Sequence, residues 1–176
     1  MMKISKLLCK SFALLSLLLI ACSNTDDIQQ KVTEIDASQL KVRDPFIFYD
    51  ADTDYYYLHV NGTLKVKSYK SKDLLTWQEN GYSFLPSAGF WGKEDFWAPD
   101  FYKYEDKYYL FITLSAPGVK RGTSVLVSDR VTGTFQPLVN NAVTPQEWTC
   151  LDGSLYVDSE GTPWIFYCRE WVEVGD

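Results

Sequence analysis

From about residue 44 onward, short apolar runs alternate with polar turns, and no stretch keeps a helical period over three turns. Phe46-Ile47-Phe48-Tyr49 is one run; the cluster Asp50-Ala51-Asp52-Thr53-Asp54 breaks it, and Tyr55 to Val60 leads back. Leu64 to Tyr69 then alternates apolar with polar, and Ser71-Lys72-Asp73-Leu74-Leu75-Thr76-Trp77 follows. β-Branched and aromatic runs bounded by Asp, Gly and Ser predict strands and tight hairpins. The same order returns downstream as Phe101 to Tyr104, a Glu105-Asp106-Lys107 turn, Tyr108 to Thr113, Thr123 to Ser128, and Asp129 to Phe135. Trp77 and Phe135 stand at matching places, each five residues after a basic residue, Lys72 or Arg130. A third unit supplies two strands around the turn Asp158 to Thr162. The pattern predicts an all-β chain.

An aspartate opens each unit: Asp44, Asp100 and Asp152, 56 and then 52 residues apart. A second aspartate follows six residues later in each, as Asp50, Asp106 and Asp158, which the pattern puts in hairpin turns with structural roles. A period near fifty with four strands per unit is that of a β-propeller, whose equivalent blade positions face one central funnel. About two and a half blades are present, so the chain is expected to be the N-terminal part of a longer protein. A complete small β-sandwich is the rival, but sandwich strands show no four-strand period.

Residues 1–21 resemble a bacterial lipoprotein signal: Lys3, Lys6 and Lys10, an apolar stretch from Phe12 to Ala21, and Leu19-Ile20-Ala21 before Cys22. The resemblance implies cleavage before Cys22 and its lipidation, which places the protein in the bacterial cell envelope, in the outer membrane facing periplasm or surface, with the membrane met by the lipid anchor only. Residues 22–38 read as a polar linker and 39–176 as the partial propeller domain. Without the three signal lysines, 23 acidic residues face 14 basic ones and the net charge is −9, which argues against nucleic-acid partners. Cys150 and Cys168 flank the third hairpin; a disulfide between them is geometrically open, and two buried free thiols are the favoured alternative.

Arg43-Asp44-Pro45-Phe46-Ile47, then Asp95-Phe96-Trp97-Ala98-Pro99-Asp100, then Leu151-Asp152-Gly153-Ser154-Leu155-Tyr156 resemble glycoside hydrolase family 43, in order and at blade spacing from about residue 40 to the end. The resemblance implies a five-bladed β-propeller that hydrolyses arabinosides or xylosides with inversion. Its partners would be arabinan, arabinoxylan or xylan oligosaccharides. Residue by residue, Asp44 matches the general base and Asp152 the carboxylate that tunes the general acid's pKa. That acid, a glutamate, belongs to the following blade, beyond the C-terminus of this sequence. Inversion needs one carboxylate to deprotonate water and a carboxylic acid on the sugar's other face, roughly 6.5 to 9.5 Å apart.

The remaining candidates keep two readings each. Trp97 and Phe96 either stack on a sugar ring or fill the core between blades. Asp100 either lines the funnel or bonds backbone amides. Glu170 lies too close behind Asp152 to be the family's acid and is at most a funnel contact, while Arg169 stands where relatives tend to carry histidine. No cofactor is certain; the resemblance implies a calcium ion on the propeller axis of the full-length protein, held in many members through a histidine of a later blade. Asp50, Asp52 and Asp54 lack the glycine and closing glutamate of a calcium loop, and His59 is expected to be an ordinary strand residue. Two further functions stand beside the glycosidase: a non-catalytic carbohydrate-binding propeller, and an invertase-like fructan enzyme, whose Arg-Asp-Pro phrase lies in a later blade.

Overall fold

The computed structural model describes residues 33–171. Eleven strands lie in three antiparallel sheets among these residues. The first sheet holds β1 (Glu34–Asp36), β2 (Phe46–Asp50), β3 (Tyr55–Gly62), β4 (Lys65–Ser71) and β5 (Thr76–Phe84), in the order β1-β5-β4-β3-β2. The second runs β6 (Glu94–Tyr104), β7 (Lys107–Ala116), β8 (Val119–Ser128) and β9 (Gln136–Pro137) in sequence. The third is the hairpin β10 (Cys150–Val157) and β11 (Pro163–Arg169). These are two four-stranded meanders and a half, the arrangement expected for blades of a propeller.

Two details depart from the expected plan. The segment read as linker enters the sheet at Glu34, where β1 pairs with β5 through Ile35 and Trp77. A 3-10 turn at Ala37–Gln39 follows, and Ala37, Leu40 and Val42 pack on a small core of Leu58, Val60 and Trp77. Apolar residues scattered through a polar stretch carry this docking. The fourth strand of the second blade is only two residues long, because Phe135 turns inward ahead of it and is fully buried. Signal residues 1–21 and Cys22 lie outside the described residues.

Aromatic side chains make the seam between the first two blades. Phe48 meets Phe101 at 5.0 Å between ring centroids and Phe46 meets Tyr102 at 5.2 Å. Offset and edge-on contacts of this kind add to the burial that already favours the seam. The Tyr108 hydroxyl donates across it to Asp50 Oδ1 at 2.8 Å, and Asp50 Oδ2 accepts from the Thr53 amide at 3.0 Å. Asp50 is therefore structural, as its turn position implied. So is Asp158, which accepts from the Glu160 and Thr162 amides and from Trp164 Nε1. His59 is sealed in the same seam, stacked on Phe101 at 4.3 Å with Nδ1 2.7 Å from Ser83 Oγ. Burial holds its pKa down to about 3, so it is neutral at any working pH.

The second and third blades meet through smaller groups. The Asp152 amide donates to Thr113 Oγ1 at 3.0 Å and the Gly153 amide to Thr123 Oγ1 at 3.2 Å. A Cβ on Gly153 would lie 2.5 Å from Thr123 Oγ1 and Cγ2, so glycine is required here for close approach. Gly153→Ala is expected to cost about 1–3 kcal/mol of stability through overpacking, read from the midpoint of urea unfolding.

Neither Cys150, which is buried, nor Cys168, which is exposed, is in a disulfide. The disulfide does not form, and only one of the two expected buried thiols is buried. The register explains both: Cys168 pairs with Leu151 and Cys150 with Arg169, one position out of step, and neighbouring strand positions face opposite sides.

Candidate active site

Three sheet ends converge on one cleft of about 500 Å³, walled by Arg43, Asp44, Pro45, Trp97, Ala98, Asp100, Leu151 and Asp152. Asp44 and Asp152, 108 positions apart in the chain, thus line a shared space together with Asp100 and Trp97. The volume suits a sugar-sized ligand.

Local backbone irregularity aims these side chains. Asp44 (φ 51°), Ala98 (φ 43°) and Asp152 (φ 53°) all occupy the left-handed region, as does Asp95 (φ 70°) beside the cleft. Aspartate tolerates that region through its short polar side chain; alanine does not, and its presence there is strain held by the surroundings. In β6 the pairing with β7 slips twice, between Glu94 and Trp97 and between Trp97 and Asp100. In β10 it slips between Leu151 and Ser154, at the position of Asp152. Such bulges re-aim one side chain while the strand continues.

The electrostatics couple the carboxylates. Burial raises the Asp152 pKa, and the charges of Asp44 and then Glu170 raise it further. Burial also raises that of Asp100, opposed by its hydrogen bond with Tyr102 and reinforced by the charge of Asp152. The Tyr102 hydroxyl donates to Asp100 Oδ2 at 3.1 Å, and its own pKa is pushed up to about 12 by burial and by Asp100. Crowding like charges in one cleft is the usual way to keep a nearby carboxylic acid protonated near neutral pH.

Trp97 and Phe96 part company. Trp97 is 39% exposed and lines the cleft, whereas Phe96 is 3% exposed and packs in the core beside Phe84. Phe96 thus takes the core reading and Trp97 the cleft reading, a division set by the slips of register on either side of Trp97. Glu170 is also committed elsewhere. Its carboxylate accepts from Arg121 Nη1, and its side chain is largely buried.

Arg121 is the residue that sequence reasoning missed. Its Nε donates to Asp95 Oδ2 at 3.0 Å, and its guanidinium lies 4.2 Å from the centre of the Trp97 ring. Asp95 Oδ2 also accepts from Ser115 Oγ at 2.5 Å. One side chain from β8 thereby ties Asp95 of β6 to Glu170 of the third blade and backs the indole that walls the cleft. A guanidinium fork suits that double task better than an ammonium. In sequence Arg121 stands beside Lys120, a second basic residue, and nothing local marks it out; the fold alone brings it to Asp95 and Glu170.

Among the described residues no three His, Cys, Asp or Glu side chains are grouped to hold a metal ion, and the sole histidine is locked in the seam. Asp52 and Asp54 are paired instead with Lys103 at 2.5 Å and Lys72 at 2.9 Å.

The sequence model of glycosyl hydrolases family 43 matches residues 37–175. The chain belongs to that family. An endo-arabinase from Bacteroides thetaiotaomicron VPI-5482 is 61% identical, with a TM-score of 0.77, over 80% of this chain and 49% of its own. An extracellular exo-alpha-(1->5)-L-arabinofuranosidase of Cellvibrio japonicus is 24% identical over 77% of this chain and 42% of its length. An extracellular endo-alpha-(1->5)-L-arabinanase of Bacillus subtilis is 24% identical over 58% and 35%. This family 43 chain thus spans less than half the length of these relatives. No helix among its described residues is long and apolar enough to cross a membrane.

Proposed function

We propose that the complete protein is an inverting glycosidase of arabinose-containing polysaccharide, with α-1,5-linked arabinan as its substrate. One observation carries this reading: Asp44 and Asp152, from the first and third blades, wall the same cleft beside an exposed tryptophan. The similarity to an endo-arabinase over four-fifths of the chain favours arabinan over xylan.

Asp44 acts as general base. It takes a proton from water as the water oxygen attacks the anomeric carbon, on the face opposite the departing oxygen. The leaving oxygen receives its proton from a carboxylic acid, a glutamate of the following blade by family resemblance. Asp152 stands near that acid and raises its pKa by like-charge repulsion. Trp97, braced by Arg121, offers an apolar face to the sugar. The protein works in the cell envelope, held by lipid on Cys22; support comes from the signal pattern of residues 1–21 and the extracellular naming of both curated relatives.

The test is to incubate the complete protein with linear α-1,5-arabinan and with xylan, following the product anomer by NMR. Faster release from arabinan with inverted configuration is expected. No release from arabinan, or a retained configuration, overturns the proposal, and glycan binding without release would favour a non-catalytic propeller.

A further inference from the structure

Trp97 borders more than the cleft of Asp44 and Asp152. The same indole walls a second cleft of about 460 Å³, lined also by Asn61, Gly62, Thr63, Leu64, Asp95 and the rim of Phe96. Leu64 in turn walls a third of about 290 Å³, with Leu85, Pro86 and Lys93. Trp97 is common to the first two clefts and Leu64 to the second and third. Strand register puts all three on the catalytic side. Phe46 pairs with His59, Gly62 with Lys65 and Val66 with Phe84, so the chain before Phe46, the β3–β4 turn and the end of β5 leave the sheet at one end. Asp44 lies at that end.

Leu64 is the informative residue. It sits at φ 55° and is 49% exposed. A bulky side chain in the left-handed region is disfavoured where glycine or asparagine would fit, and this one fills no core in return. Leu85, across the third cleft, is 53% exposed. Two open aliphatic surfaces beside the Asn61 amide form the mixed apolar and hydrogen-bonding wall that sugar rings meet well.

We infer that the turn Asn61–Leu64, with Leu85, is an outlying binding subsite for further sugar residues of the same polysaccharide, reached by a chain that passes over Trp97 from the site of cleavage. This rests on the arabinan-hydrolase reading and extends it to a long, groove-bound substrate. The side chains act by holding the distant part of the glycan, so their contribution is felt by long substrates and not by short ones.

The experiment compares linear α-1,5-arabinohexaose with arabinobiose, using the complete wild-type enzyme, Leu64→Gly and Asn61→Ala. Leu64→Gly is expected to lower the ratio of kcat/KM for the hexamer over the dimer about fivefold, through KM, as a half-exposed aliphatic contact is lost. Glycine suits this φ, so the variant should melt no lower than wild type. A ratio unchanged in both variants overturns the subsite. If the wild type cleaves neither glycan, the hydrolase reading fails separately. Calorimetric titration with arabinohexaose then decides: weaker binding by Leu64→Gly upholds the subsite, and equal or absent binding overturns it.

Discussion

Asp44→Asn in the complete enzyme is expected to cut kcat on arabinan about 10³-fold, the scale of general-base assistance. The affinity for an arabino-oligosaccharide should stay within about threefold, because the amide keeps the shape and part of the hydrogen bonding. Asparagine is the informative replacement for a conformational reason. Asp44 lies at φ 51°, where asparagine is tolerated nearly as well as aspartate and alanine is not. Asp44→Ala would mix strain with lost chemistry. The ion pair between Arg43 Nε and Asp44, at 3.4 Å and exposed, contributes little to folding. Steady-state rates together with titration calorimetry make the check. A variant retaining more than about a tenth of wild-type turnover would remove Asp44 from the role of base, since that loss is below the usual range.

Arg121→Ala has the second large effect, and it falls on stability and activity together. Asp95 and Glu170 would face each other with no cation between them, both largely screened from water. Leaving buried charge without its partner costs about 3 kcal/mol. Trp97 would also lose the guanidinium packed on its ring, a contact worth about 1 kcal/mol. Urea unfolding should register the first loss, and a raised KM on arabino-oligosaccharides the second. Arg121→Lys separates the two: it restores a charge between the carboxylates but not the planar fork or the stacking. Stability should return in part while KM stays high. If Arg121→Ala unfolds at the wild-type midpoint, the network is ornamental.

Much of this architecture was legible because it is periodic. The recurring aspartates marked the blades, and convergence of Asp44 and Asp152 followed from propeller geometry, which returns equivalent positions to one axis. What escaped was whatever tertiary contact alone creates. Arg121 comes from β8, Asp95 from β6 and Glu170 from just past the end of β11, and nothing in their local sequence announces that they meet. The pair Phe96-Trp97 was ambiguous for a different reason. Each kept both readings, stacking or core, because bulges on either side of Trp97 reset the strand's phase and periodicity could not assign them. Residues 34–38 looked like linker because three residues are too short a run to announce a strand; a neighbouring sheet supplies the pairing. Cys150 and Cys168 miss each other by one position of register, a quantity that spacing across a turn does not fix.

The short strand β1 has a consequence for how this molecule behaves in company. It is the outermost member of its sheet, three residues long, and two of the three are Glu34 and Asp36. A rim that offers few free amides and two negative charges is a poor template for a foreign strand. The first blade is thereby protected from sticking to its own kind, which matters wherever identical copies are crowded together.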